Sequence, residues 1–197
     1  MIPDEGVKQM NHLDLLRKSI LELYKLLRKG MRQKWKRDLP FEEMLFDRWE
    51  RAGSLGFGEG SSIYHNSYVY SDVTVGKNTW IGPYTLLDGS GGLTIGDNCS
   101  ISAGVHIYTH DTVRWALSGG EAEHERAPVS IGSCCHIGAK TVIAKGVTIG
   151  HHCVIGACSF VNRDVQSYTI AAGTPCKPAG VVNFEDDGNI AFFFDRS

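Results

Sequence analysis

The chain has 197 residues, 42% of them hydrophobic and 21% charged, which suits one globular domain with a modest appendage and excludes a disordered chain. The formal net charge of −2 conceals an asymmetry, because nine of the 20 Lys and Arg lie between Arg17 and Arg37, where Glu22 is the only acid. No run approaches the ~18 apolar residues of a membrane span, and MIPDEGVKQM lacks the basic-then-apolar order of an export signal, so a cytoplasmic protein is expected.

The first sixty residues carry no repeat. Leu13, Leu16, Ile20, Leu23, Leu27 and Met31 follow three- and four-residue steps and predict an amphipathic helix. PFEEMLFDRWERAG predicts a second, with Pro40 at its start and Gly53 at its end. The preferred reading is a helical cap over the open end of the solenoid that follows. The other reading is a peripheral membrane contact through residues 13–37, with the Lys/Arg face toward anionic lipid and Trp35 at the interface. The basic run accompanies no nucleic-acid-binding motif, and no nucleic-acid partner is expected.

From Ile63 an aliphatic residue recurs every six positions: Ile63, Val69, Val75, Ile81 and Leu87, then Ile95, Ile101 and Ile107, then Ile131 to Val161 without a break. Ten of the fourteen Ile fall on these lead positions, and the fifth residue of the hexads is mostly small or β-branched. A helix needs a 3.6-residue period and a simple strand needs alternation, so a sustained six predicts short β segments joined by corners. Three segments per turn would stack Ile131 on Ile149, Ile137 on Ile155 and Cys135 on Cys153. The six cysteines form no CxxC and are expected as free thiols, partly core filler.

The register breaks twice. Between Leu87 and Ile95 the step is eight residues, which predicts a bulge at Asp88 to Gly92. Between Ile107 and Ile131 the pattern lapses over residues 111–126, and Gly119 and Glu125 stand at the would-be leads, so an extended loop is expected rather than an irregular coil. The expected organisation is a helical segment over 1–60, a β-helix over 61–180 with its loop at 111–126, and a tail over 181–197.

IGSCCHIGAKTVIAKGVTIGHHCVIGACSFVNRDV, ending in AAGTPCKPAG, resembles the hexapeptide-repeat acyltransferases, and within them the maltose/galactoside acetyltransferases and their polysaccharide-modifying relatives. The resemblance covers roughly residues 60 to 180. It implies a left-handed parallel β-helix, a homotrimer with sites between subunits, acetyl-CoA as co-substrate without a metal, and a sugar, nucleotide-sugar or glycan acceptor.

Acyl transfer from a thioester to a hydroxyl needs a base to take the acceptor's proton, and imidazole, with an ordinary pKa near ~6.5, is suited to that at neutral pH. His110 of IYTHD opens the long loop and matches the general base of the galactoside-type enzymes. Asp111 is expected to point away, whereas Asp88 of the bulge would contact either His110 or the acceptor. Tyr84, Trp115 and His136 join Asp88 as candidates for acceptor binding. For coenzyme A the resemblance carries over Gly138 and Ala139 of HIGAK, Ala157 of IGACS, Asn162 and Arg163 of VNRD, and Lys177 of GTPCKP.

Gly82 stands where the galactoside enzymes carry the Asn of a YAN-type motif, and His136 stands where they carry a Trp, which widens the acceptor to a glycan hydroxyl or the amino group of a nucleotide-linked aminosugar. Two further classes use the same prism. The zinc-dependent carbonic anhydrase type would draw on His106 and His110, but it spaces its paired histidines differently and lacks the long loop and the GTPxK-like ending. A non-catalytic scaffold would have no need of His110, the loop and Lys177.

Overall fold

The computed structural model describes residues 11–185 and 188–194. The chain divides between Asp47 and Arg48 into two compact units.

The first unit is led by α1 (His12–Trp35). Asn11 caps its N-terminus by accepting from the Asp14 N–H at 2.9 Å, and Lys36 closes it in a left-handed conformation at φ 55°. Arg28 and Arg32 both grip Asp38, and their hydrogen bonds hold its carboxyl down at about 2. No residue of α1 is buried. The expected second helix divides: α2 (Phe41–Leu45) ends at Phe46, whose backbone is extended, and α3 (Arg48–Ser54) begins the second unit.

The second unit is the β-helix. Short strands stack in parallel on three faces. The first face runs Ile63, Ile81, Ile101, Ile137, Ile155 and Ala171, each paired with the next. The second runs Val69, Leu87, Ile107, Ile143 and Val161. The third runs Val75, Ile95, Ile131 and Ile149, with Val165 bridged beyond it. Nearly all of these lead side chains are fully buried and form one apolar cluster. Each fully buried Ile or Leu contributes ~1.5–3 kcal/mol relative to exposure, so the stacked leads dominate the stability of this unit.

The fifth positions do more than fill space. Ser67 donates to the Gly82 carbonyl at 3.0 Å, Thr79 to Gly96 at 2.8 Å, Cys135 to Gly150 at 3.0 Å and Thr141 to Gly156 at 3.1 Å. Each hydroxyl or thiol thus satisfies a corner carbonyl of the next coil, which is why the position accepts Ser, Thr and Cys in an otherwise aliphatic interior. All six cysteines are free, as the lack of CxxC spacing implied.

The ends of the solenoid are closed differently. At the start, Ala52 of α3 and Phe57 join the core cluster, and the Arg51 guanidinium donates to the carbonyls of Tyr64 and Ser67. The burial that a cap requires is therefore found at Ala52 and Phe57. At the other end the C-terminal segment continues the first face, Lys177–Phe184 and Ile190–Phe194 adding to Thr169–Ala172 as two antiparallel strands.

Both register breaks fall at the edge between the second and third faces. The strand Leu86–Ile95 crosses that edge, and its pairing with Tyr68–Val75 shifts between Ser71 and Val73, opposite Gly89 and Leu93, which absorbs the two extra residues. One coil further on, Ile107 stacks under Ile143 while Ile131 stacks on Ile95. Residues 108–128 therefore replace a single corner, as the displaced leads predicted, although the insertion has the length of a full coil. The loop holds α4 (Val113–Leu117) and a small antiparallel pair, His110–Asp111 with Glu125–Arg126.

Ile143 lies between Ile107 and Val161 and is fully buried. Ile143→Ala should cost ~2–5 kcal/mol and Ile143→Val ~0.5–1.5, read as graded falls in the thermal midpoint; equal midpoints would contradict the stacked core.

Candidate active site

Asp88 and His110 belong to neighbouring coils at the edge that carries both breaks. The His110 ring places Nδ1 2.6 Å from Asp88 Oδ2. The Asp88 side chain is 1% exposed and that of His110 34%, so the carboxylate is sealed behind an imidazole that solvent or a ligand reaches.

A cradle of short-range donors holds Asp88. Oδ1 accepts from the Ser90 N–H at 3.0 Å and its hydroxyl at 2.5 Å, and Oδ2 accepts from the Thr109 N–H at 2.8 Å. The Thr109 hydroxyl sits within 2.9 Å of the Asp88 carbonyl and itself accepts from the Gly91 N–H at 2.8 Å. Gly91 is required, since a Cβ there would strike the Thr109 carbonyl. Burial alone would push the Asp88 carboxyl up, but the hydrogen bonds from Ser90, Thr109 and His110 outweigh it and hold the group well below the usual carboxylate range. An ionised Asp88 can only accept, so the proton between the two groups sits on His110 Nδ1 and Nε2 takes no part in this contact. Acceptor binding by Asp88 itself does not fit, because its oxygens are spent within this cradle.

The loop is latched to the coil above it. Lys145 Nζ lies 2.8 Å from Asp111 Oδ2 and 2.7 Å from Glu125 Oε2, and Arg114 pairs with the other Glu125 oxygen. Hydrogen bonds from Lys145 lower both carboxyls and raise its own ammonium. Asp111 accordingly turns away from His110, as expected. The sequence reading missed Lys145, whose signal is its place at the same corner one coil later. It also missed His124, whose ring stacks on His110 at 6.5 Å and meets Trp115 edge-on at 5.8 Å.

The remaining candidates are not gathered in one place. Trp115 is half-exposed on α4 beside the dyad, and Asn162 and Arg163 are exposed at the same edge two coils beyond. Tyr84, Ala139 and Ala157 lie at the other edge of the second face, linked through Lys140 N–H to Ala103 at 2.9 Å and Cys158 N–H to Ala139 at 2.8 Å. Lys177 pairs with Ala172 beyond that edge, and His136 is exposed on the first face. Gly138 departs from expectation: it is buried, its N–H is committed to the Ile155 carbonyl, and a Cβ would lie 2.5 Å from Ala157 N. Coil stacking accounts for that glycine. His106 and His110 do not converge either, since His106 Nδ1 faces the Tyr108 hydroxyl at 3.3 Å.

The family model described as bacterial transferase hexapeptide (six repeats) matches residues 128–163, and the hexapeptide repeat of succinyl-transferase matches residues 72–109. Hexapeptide repeats are thus matched on both sides of the inserted loop. This hexapeptide-repeat protein is 32% identical over 133 residues to the galactoside O-acetyltransferase of Escherichia coli (strain K12), covering 57% of this chain and 66% of that one. It spans between about half and two thirds of the curated relatives that lead its matches. Among solved structures it resembles the hexapeptide-repeat acetyltransferase VCA0836 from Vibrio cholerae, with a TM-score of 0.53 at 24% identity over 86% of this chain and 92% of that one. It also resembles AntD, an N-acyltransferase from Bacillus cereus in complex with dTDP and 3-hydroxybutyryl-CoA, with a TM-score of 0.56 at 21% identity over 68% and 89%. These structural likenesses show the fold, a left-handed parallel β-helix.

Asp88→Asn should lower thermal stability at neutral pH. Because the folded carboxyl titrates below its unfolded value, its contribution is complete above the ordinary carboxylate range near ~4 and fades as pH falls below it. Thermal midpoints of both proteins against pH should converge in acid; a constant gap would remove the linkage.

Proposed function

We propose that the protein transfers an acetyl group from acetyl-CoA to a hydroxyl of a sugar or glycan, with His110 as general base. The observation that carries this is the dyad: a reachable imidazole whose inner nitrogen is held by a buried, ionised carboxylate at the mouth of an inserted loop. His110 Nε2 takes the proton of the acceptor hydroxyl as its oxygen attacks the thioester carbonyl. The carbon–sulfur bond then breaks, and the same proton passes to the departing thiolate of coenzyme A. Asp88 supports the cationic imidazole between the two transfers without accepting its proton, and Trp115 offers an apolar ring to a sugar face.

The proposed assembly is a homotrimer. The outer column of the second face is Tyr68, Leu86, His106, Val142 and Phe160, whereas that of the third is Thr74, Thr94, Ser130 and Thr148. The apolar column lies between the edge bearing His110 and the edge bearing Ala139 and Ala157. A cyclic assembly with second faces turned inward would bring the His110 edge of one copy to the Ala139 edge of the next, so that the pantetheine arm lies along small side chains and Lys177 meets the adenosine phosphates. Asn162 and Arg163 belong to the His110 edge in this arrangement. Transfer to the amino group of a nucleotide-linked aminosugar is the second reading, favoured by Gly82 and His136 in place of the galactoside pattern.

The decisive assay is thiol release from acetyl-CoA against sugars, glycans and nucleotide aminosugars, with mass spectrometry of the product. His110→Ala should cut turnover by ~10²–10⁴ while acetyl-CoA still binds; near-normal turnover would sink the assignment. Lys177→Gln should weaken acetyl-CoA binding and spare turnover at saturation.

A further inference from the structure

The long N-terminal helix has the surface of a bilayer-seeking segment. At 100° per residue, Leu13, Leu16, Ile20, Leu23 and Leu27 fall within an arc of roughly 80°, and Lys18, Lys25, Lys29 and Arg32 fall on an arc opposite to it. In a globular helix such a stripe is buried, yet Leu13, Leu16 and Ile20 are 71%, 50% and 46% exposed, and no residue of α1 is buried. Trp35, 57% exposed with Lys34 Nζ 5.0 Å from its ring, stands at the C-terminal end, where an amphipathic ring suits the headgroup layer. No described helix is long and apolar enough to cross a membrane, so the mode is interfacial.

We propose that α1 lies in the interface of an anionic phospholipid bilayer, its leucine stripe among the acyl chains and its lysine face toward the headgroups. Charge complementarity selects this occupant. Within α1 seven Lys and Arg face two acids, Asp14 and Glu22, so copies of α1 packed together would concentrate like charge, whereas acidic headgroups neutralise it.

Full-length protein is mixed with phosphatidylcholine vesicles, with or without phosphatidylglycerol, and sedimented. Binding should require phosphatidylglycerol and weaken with added salt. Lys25→Gln combined with Lys29→Gln, which keeps the helix, should weaken partition roughly 30-fold, and Ile20→Asp should abolish it. These residues lie outside the proposed site, so thiol release with a soluble acceptor should be unchanged. Equal binding to both vesicle types, or none to either, would overturn the proposal. So would a change in oligomer size caused by Ile20→Asp, since the stripe would then be covered by a second copy.

Discussion

The β-helix depends on one constraint, the requirement that each aliphatic lead lie directly over the lead of the next coil. Ile107, Ile143 and Val161 form such a stack, as do Ile137 and Ile155. Backbone ladders and the Ser, Thr and Cys donors of the fifth positions follow from that superposition, because a coil rotated or shifted by one residue would lose every corner carbonyl contact together. Variation is tolerated only where it leaves the stacks intact, at the corners. The two breaks share one corner, where Asp88 meets His110 and Lys145 meets Asp111.

The dyad shows how a rigid scaffold fixes an imidazole against a buried carboxylate. Asp88 sits on a strand fixed by pairing on both sides, and the four donor contacts from Ser90 and Thr109 come from residues within the same two coils. Only His110 reaches outward, from the first residue pair of the loop. The Lys145 latch then ties the loop's base to a third coil, so the position of the imidazole is set by three successive turns of the prism.

Much of this was legible in the residues. The six-residue lead period yields the coils, the displaced leads at Gly119 and Glu125 yield the loop, and Cys135 over Cys153 follows from an 18-residue stack. The partner of His110 was legible only as an alternative, with Asp88 set against either His110 or the acceptor, because Asp88 is 22 residues away and no repeat position marks the contact. Lys145 was hidden by the same arithmetic. Had the insertion formed a coil, Ile143 would stand over Glu125; as a loop it stands over Ile107, and that choice alone brings Lys145 to Asp111 and Glu125. The split of the predicted second helix at Phe46 and the antiparallel strands after Ala172 have no periodic signal at all.

A hexad solenoid has no natural length, since each coil presents the next with the same template. Here the template is withdrawn at both ends. Ala52 and Phe57 fill the first coil with side chains that offer no strand to pair, and at the far end the chain reverses, so that Lys177–Phe184 runs against the direction a further coil would need. A further parallel coil thereby meets no matching template among the described residues at either end.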